Sequence, residues 1–194
     1  MSAAGLMRSR PWALAVLAAA IAAEIVWFAI VVRNGNVSSG DLVRPAFFSI
    51  VMVLLLVTGG RAALPVFLAR MTVAGAFLNA LWNRFDDFSR FVAYTRLVTS
   101  FMPSATITFL ATAATVLEVV FCAALLMGVA TRWMALGAAV LLFLFATAMV
   151  LSGLDQFEWA VYVLSAGAWV VAASSAPYVL SLDQLMFRAR AARG

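Results

Sequence analysis

A 25-residue apolar run, residues 104–128, carries a single charged residue, Glu118, near its middle. As a helix that length crosses a hydrocarbon layer about 30 Å thick. At about 100° per residue, Ser104, Thr108, Thr112, Thr115, Glu118 and Cys122 fall within roughly a 120° arc, while Phe109, Leu110, Leu117, Val120 and Phe121 lie mostly outside it. The helix therefore has a polar face. A carboxylate in mid-bilayer costs about 2.5–3.5 kcal/mol or more, so it faces a partner, a cavity or water rather than lipid. The other segments supply the surroundings of Glu118.

With 66% hydrophobic residues and a mean hydropathy of +1.07 over 194 residues, the chain has too few polar side chains to cover a soluble globule. Strand-like alternation of the barrel type is absent, and only helices or closed barrels satisfy every backbone group in lipid. The expected fold is all-α: a polytopic transmembrane helical bundle, residues 1–194 forming one membrane domain. All thirteen basic residues are arginine, and they are scattered over short loops. That pattern suits a cytoplasmic membrane face and gives no reason to invoke nucleic acid. With no histidine and one cysteine, the sequence offers no bis-imidazole haem, no His-based metal site, no Cys-x-x-Cys motif and no internal disulfide.

Arg8 and Arg10 precede an apolar run at residues 12–32 that is too long for a cleaved signal and long enough to span. Its Ala18, Ala19, Ala22 and Ala23 offer a close-packing face, and Glu24 places a second carboxylate just past its centre. A polar loop, residues 33–44, leads to a shorter apolar run at 45–58, which either spans, with Arg44 and Arg61 snorkelling at opposite ends, or forms an oblique re-entrant helix. Spanning is the expectation adopted. Gly59, Gly60 and Arg61 break the pattern, and Pro65 sits in the first turn of a third helix reaching about Trp82. Residues 85–102, with Phe85, Phe88, Phe91, Val92, Thr95, Val98 and Met102 at helical spacing against Asp86, Asp87 and Arg90, read as an interfacial amphipathic helix closed by Pro103. Further helices are expected at 104–128, 133–152 and 157–176. Six spans put both termini on one side together with Arg61 and Arg132. The positive-inside rule makes that side the cytoplasm.

From Arg70 onward these pieces form a recognisable series. A helix begins Arg70-x-x-x-x-Gly75, a surface segment ends at Pro103, and a helix centred on Glu118 runs into Gly128-x-x-Thr131-Arg132. Two more helices lead to Ser181-Leu182-Asp183. In order and spacing this resembles the DoxX family of small bacterial membrane proteins over about residues 70–186. The resemblance implies a four-helix core, here residues 62–186, preceded by two extra hydrophobic segments at 12–60. It also implies a location in the bacterial cytoplasmic (inner) membrane. A basic residue near the end of the family's first helix corresponds here only loosely, to Asn83 and Arg84. Family members include subunits of thiosulfate:quinone or quinol oxidoreductases, proteins associated with redox and detoxification complexes, and eukaryotic receptor-assembly chaperones. The fold is implied more firmly than any one reaction.

Glu118 is the leading candidate for ligand contact, as a proton-titrating or quinone-head-group carboxylate beside the Thr108, Thr112 and Thr115 hydroxyls; the alternative is an acid acting as interhelical glue. Arg70, in an early turn of its helix, is the expected counter-ion. Glu24 is then left to a water-filled crevice or a partner subunit, and Asn79 is expected to seek an interhelical hydrogen bond. Nothing here equips the chain as a lone enzyme. Two functions stand as expectations. One is a non-catalytic membrane subunit or assembly and anchoring factor of a membrane complex, with the lipid bilayer and a protein partner or a second copy as its surroundings. The other is a quinone- or lipophile-binding subunit of a membrane oxidoreductase.

Overall fold

The computed structural model describes residues 3–33, 39–100, 102–152 and 158–191, with side chains except at 3–10, 27, 31–33, 39–45, 158, 159 and 187–191. The Arg8 and Arg10 side chains, residues 34–38 of the expected 33–44 loop, Phe157, and the Arg188, Arg190 and Arg193 side chains lie outside that description, while residues 39–44, expected in that loop, already belong to a helix. Among the described residues all regular structure is helical: α1 Ala3–Arg33, α2 Ser39–Val57, α3 Ala63–Asp86, α4 Phe88–Val98, α5 Ile107–Met127, α6 Thr131–Leu151, α7 Glu158–Ala173 and α8 Leu182–Ala191, with a 3-10 turn at Ser104–Thr106 before α5. Four helical segments are long and apolar enough to cross a membrane: Pro11–Ile30, Ala63–Asp86, Ser104–Met127 and Thr131–Leu151. Two shorter apolar stretches, Ala46–Val57 and Ala160–Ala173, occupy the other two positions where a span is expected. Helix α2 has 19 residues in all, about 28 Å, and continues through Pro45.

Helix α7 lies at the centre, packed by α1, α2, α3 and α6. Val163, Leu164, Ala166, Ala168, Val170, Val171 and Ala172 are all buried, so the helix is covered on every side. Its small residues make that possible. A Cβ on Gly167 would stand 2.2 Å from Met52 Sδ, so α2 approaches α7 at a distance no larger residue permits without displacing Met52. Ser165 Oγ donates to Ala139 O at 2.7 Å and ties α7 to α6. The alanine face expected to pack α1 does not do so. Ala18, Ala19 and Ala22 are exposed, whereas Ala13, Leu17, Ile21 and Glu24 are buried. The small side chains that allow close approach come from α7, and α1 meets them with its larger ones.

Two turns fix how α3 and α4 enter the bundle. After α2 the chain passes through Gly59 and Gly60 at φ 57° and 64°, a left-handed pair that favours glycine. Gly60 O then accepts from Ser174 Oγ at 2.7 Å beyond the end of α7. Between α3 and α4, the Asp87 carboxylate accepts from Ser89 Oγ at 2.7 Å and from the Arg90 backbone N–H at 2.9 Å, capping α4. Those hydrogen bonds, that of Ser89 first, hold the Asp87 carboxyl below the usual carboxylate range. Helix α4 leans on α5 and α6 rather than standing apart from the bundle. Its last carbonyl, Val98 O, accepts from Ser152 Oγ just past the end of α6.

Candidate functional site

The buried stripe of α5 is Ile107, Ala111, Glu118, Cys122 and Leu125, all within about 40° of Glu118 around the helix. Thr115 lies about 60° away and is half-buried, while Thr108, about 80° away, and Thr112, about 120° away, are exposed. The expected threonine-lined pocket therefore shrinks to one hydroxyl. Thr112 Oγ1 turns back to donate to Thr108 O at 2.8 Å, the usual recourse of a helical threonine.

Glu118 meets Arg84, not Arg70. Arg84 Nη2 donates to Glu118 Oε1 at 2.8 Å and Nη1 to Oε2, a two-pronged pair that fixes both planes. Arg84 Nη1 also lies 3.4 Å from Thr115 Oγ1, and the Phe91 ring of α4 covers the guanidinium with its centroid 3.7 Å from Cζ. Both residues are buried, Glu118 to 1% exposure. Helix α3 makes this possible by running on to Asp86, about one turn past Trp82. Arg84 thus belongs to its last turn, next to exposed Asp86 and Asp87. A cation brought in from the polar end of a helix costs less desolvation than one set mid-span.

Beside the pair, between α4, α5 and α6, lies a cavity of about 470 Å³. Its walls include Phe91 and Val98 of α4, Leu117 of α5, and Leu144 and Ala148 of α6. The lining threonines add little polarity. The hydroxyls of Thr95, Thr99 and Thr147 donate to Phe91 O, Thr95 O and Phe143 O at 2.9, 2.7 and 2.8 Å, leaving their methyl groups to the cavity. Arg84 is the one charged group in the lining among the described residues, and Glu118 offsets its charge. Such a space suits an apolar molecule carrying an oxygen that accepts a hydrogen bond.

Arg70 serves a different cluster, at the opposite end of α3. Its guanidinium is 1% exposed; Nη2 donates to Leu180 O at 2.9 Å and Val179 O at 3.3 Å, and Phe67 lies beneath it at 5.3 Å. Asp183 supplies the nearby negative charge while capping α6, its Oδ1 accepting from Ala130 N at 2.8 Å and its Oδ2 from Thr131 N at 2.7 Å. Asp183 N returns a bond to Gly128 O at 3.0 Å. The separate sequence pieces Arg70, Gly128-x-x-Thr131-Arg132 and Ser181-Leu182-Asp183 are thus one latch joining α3, α5, α6 and α8. Arg70 fails as partner to Glu118 because it stands fourteen residues, about 21 Å of helix, from Arg84.

Glu24 is 1% exposed; its Oε2 accepts from Ser49 Oγ at 2.6 Å, joining α1 to α2, and its Oε1 has no partner among the described residues. Asn79 is exposed on α3 and makes no hydrogen bond among the described residues. The expected bond to another helix of the same chain is absent there. Cys122 is buried, with Sγ 3.5 Å from Ala74 O, as a small core side chain. Among the described residues there is no group of three or more His, Cys, Asp or Glu side chains that could hold a metal ion.

Sequence reasoning missed the role of Arg84, although a signal was present. The buried stripe of α3 runs Val66, Arg70, Val73, Phe77, Leu81, Arg84 at spacings of three and four, so continuing the period past Trp82 places Arg84 on the face of Arg70.

A helical membrane bundle with a buried arginine–glutamate pair at the edge of an apolar interhelical cavity defines a small multi-pass membrane protein with an internal site. Residues 66–153, from α3 to just past α6, match the family model described as DoxX. Both members of the pair and every described lining residue of the cavity fall inside the matched residues; the Ser181-Leu182-Asp183 end of the latch lies beyond them. No curated protein and no solved structure matches the chain.

Proposed function

We propose that this protein is a non-catalytic subunit of the bacterial cytoplasmic membrane, both termini in the cytoplasm, that holds one lipophile between α4, α5 and α6. The observation that carries this is the cavity itself, about 470 Å³, lined mostly by apolar side chains with Tyr94, three threonines and Arg84, the last paired to Glu118 behind it. Its volume is in the range of small-molecule sites, about 300–1,000 Å³. Arg84 has five N–H donors and spends two or three on Glu118 and Thr115, so others are available to an accepting oxygen. A quinone carbonyl is one such acceptor. The paired charges favour a neutral oxygen at this end, since an anion there would compete with Glu118. The chain purified in mild detergent, washed exhaustively and extracted with organic solvent, is expected to release one equivalent of a single lipophile class. Only mixed bulk lipid in the extract would contradict the proposal.

A second observation supports membership of a larger membrane complex. Asn79 presents its amide outward from a spanning helix, seven residues and about 10 Å from the polar end at Asp86, too deep for so short a side chain to reach water. Gly75, one turn earlier, has nothing within 4 Å of where its Cβ would be, so another helix can approach closely. An amide in lipid gains from a partner helix, typically about 0.6–2 kcal/mol. Asn79→Leu is therefore expected to weaken the chain's association with its partner or second copy by about tenfold, with the fold unchanged. Sedimentation in detergent at several protein concentrations measures it. An unchanged association constant would remove Asn79 from the interface.

A further inference from the structure

The cavity does not end at its apolar walls. Thr99 and Met102 also line a second hollow of about 520 Å³, whose other walls include Arg96, Ser100 and Ser104. Arg96 is exposed and has neither an ion-pair nor a hydrogen-bond partner among the described residues, and the hydroxyls of Ser100 and Ser104 are likewise unpartnered there. The acids nearest in sequence, Asp86 and Asp87, precede α4 at its other end, and Asp87 is engaged by Ser89 and Arg90. One cation and two hydroxyls thus stand around a hollow next to a long apolar space. Along α4 the cavity runs from Phe91, over Arg84, to Thr99, eight residues or about 12 Å.

We infer that the Arg96–Ser100–Ser104 hollow receives the anionic phosphate head group of a lipid whose chain lies along α4 in the adjoining cavity. The inference rests on the lipophile reading of that cavity and narrows the ligand from any lipophile to an acidic, single-chain amphiphile. Two features of the chemistry fix the class. An arginine with no partner among the described residues and two hydroxyls complement a group with several charged oxygens, and serine hydroxyls and an arginine fork are the usual partners of phosphate. Thr99 and Met102, common to both spaces, set the joint between head and chain. The hollow alone holds a free anion weakly, being partly open to water, which screens its one charge. The chain is what brings the head group there, as the second point of attachment.

The test uses the full chain in detergent, titrated with hexadecyl phosphate, hexadecanol or inorganic phosphate and read by native mass spectrometry. Hexadecyl phosphate is expected to bind about tenfold more tightly than hexadecanol, as for a charge-assisted contact at a partly sheltered site, and inorganic phosphate not measurably. Arg96→Gln, on the exposed side of α4, is expected to abolish the preference while leaving hexadecanol binding as it was. Equal affinities in the unaltered chain, or a preference that survives Arg96→Gln, would overturn the head-group assignment. Binding of inorganic phosphate as tight as that of the alkyl phosphate would also overturn it, because the chain would then play no part. If neither amphiphile binds, the cavity reading itself fails and the inference with it. Equal binding of both leaves that reading intact and removes only the inference.

Discussion

Glu118→Gln is expected to lower the stability of the bundle by about 3 kcal/mol or more, because it leaves the Arg84 guanidinium buried without its counter-charge. Removing one member of a buried ion pair is more damaging than removing both, since the survivor keeps its desolvation penalty and loses its compensation. The Phe91 ring and Thr115 remain in place and limit the loss. Arg84→Met in the same chain then restores much of it, because a flexible apolar side chain of similar length replaces the stranded cation. Combining Glu118→Gln with Arg70→Met should instead give changes that add to within about 0.5 kcal/mol, the two sites sharing no partner. Reversible unfolding in mixed micelles measures these three variants together with Arg70→Met alone. A neutral Glu118→Gln, or rescue by Arg70→Met in place of Arg84→Met, would contradict the pairing.

Gly128→Ala is expected to be comparably severe at the other end of the bundle. Gly128 ends α5 at φ 66°, where a Cβ is disfavoured by about 1–2 kcal/mol. That Cβ would also stand 2.3 Å from Ser181 Cβ, 2.6 Å from Arg70 Nη1 and 2.7 Å from Ser181 Cα. Ser181 cannot yield cheaply, since its hydroxyl is bound to Tyr178 O and Asp183, two residues on, caps α6. Overpacking of this kind adds about 1–3 kcal/mol, so a total near 3 kcal/mol is expected, with α8 released from the α6 end before the rest melts. Hydrogen exchange should show residues 182–191 losing protection first. Wild-type protection of that segment in Gly128→Ala would show that the latch tolerates the methyl group.

The helical bundle is legible in the sequence because hydrophobic length and punctuation are local properties: each apolar run is a helix, and the Gly59-Gly60, Pro103 and Gly128 breaks are turns. The pairing of helices is less so. Grouping the hydroxyls with Glu118 gives residues 104–122 a polar face, but a threonine satisfies its own hydroxyl against the preceding turn and can face outward without cost. The buried stripe follows Ile107, Ala111, Cys122 and Leu125 instead. The Ala18–Ala23 face of α1 misleads for a related reason. Small residues permit close packing on whichever helix carries them, and α7, with Ala166, Gly167 and Ala168, has the better claim to the centre.

Arg70 is the plausible counter-ion for Glu118 from sequence because it lies within an apolar run, whereas Arg84 lies where the run gives way to charged residues. Helix α3 continues through that change of composition, and a long guanidinium side chain reaches back into the bundle from its last turn. Composition marks where a helix leaves the membrane more sharply than where it ends. The cavity is invisible in the sequence for a different reason. It is made of residues from α4, α5 and α6 that are individually ordinary, and only the lean of α4, fixed by the Asp87 cap and the Val98–Ser152 bond, separates them enough to leave space.

The most direct test of the cavity as a lipophile site is to fill it from within. Ala114 lines the space on α5, and Val120, on the same helix, faces outward at 46% exposure. Native mass spectrometry of chains released gently from nanodiscs should find one retained lipophile on the unaltered protein and on Val120→Phe, and none on Ala114→Phe, all three melting within a few degrees of one another. Retention of the same lipophile by a folded Ala114→Phe chain would place the ligand elsewhere and contradict the account.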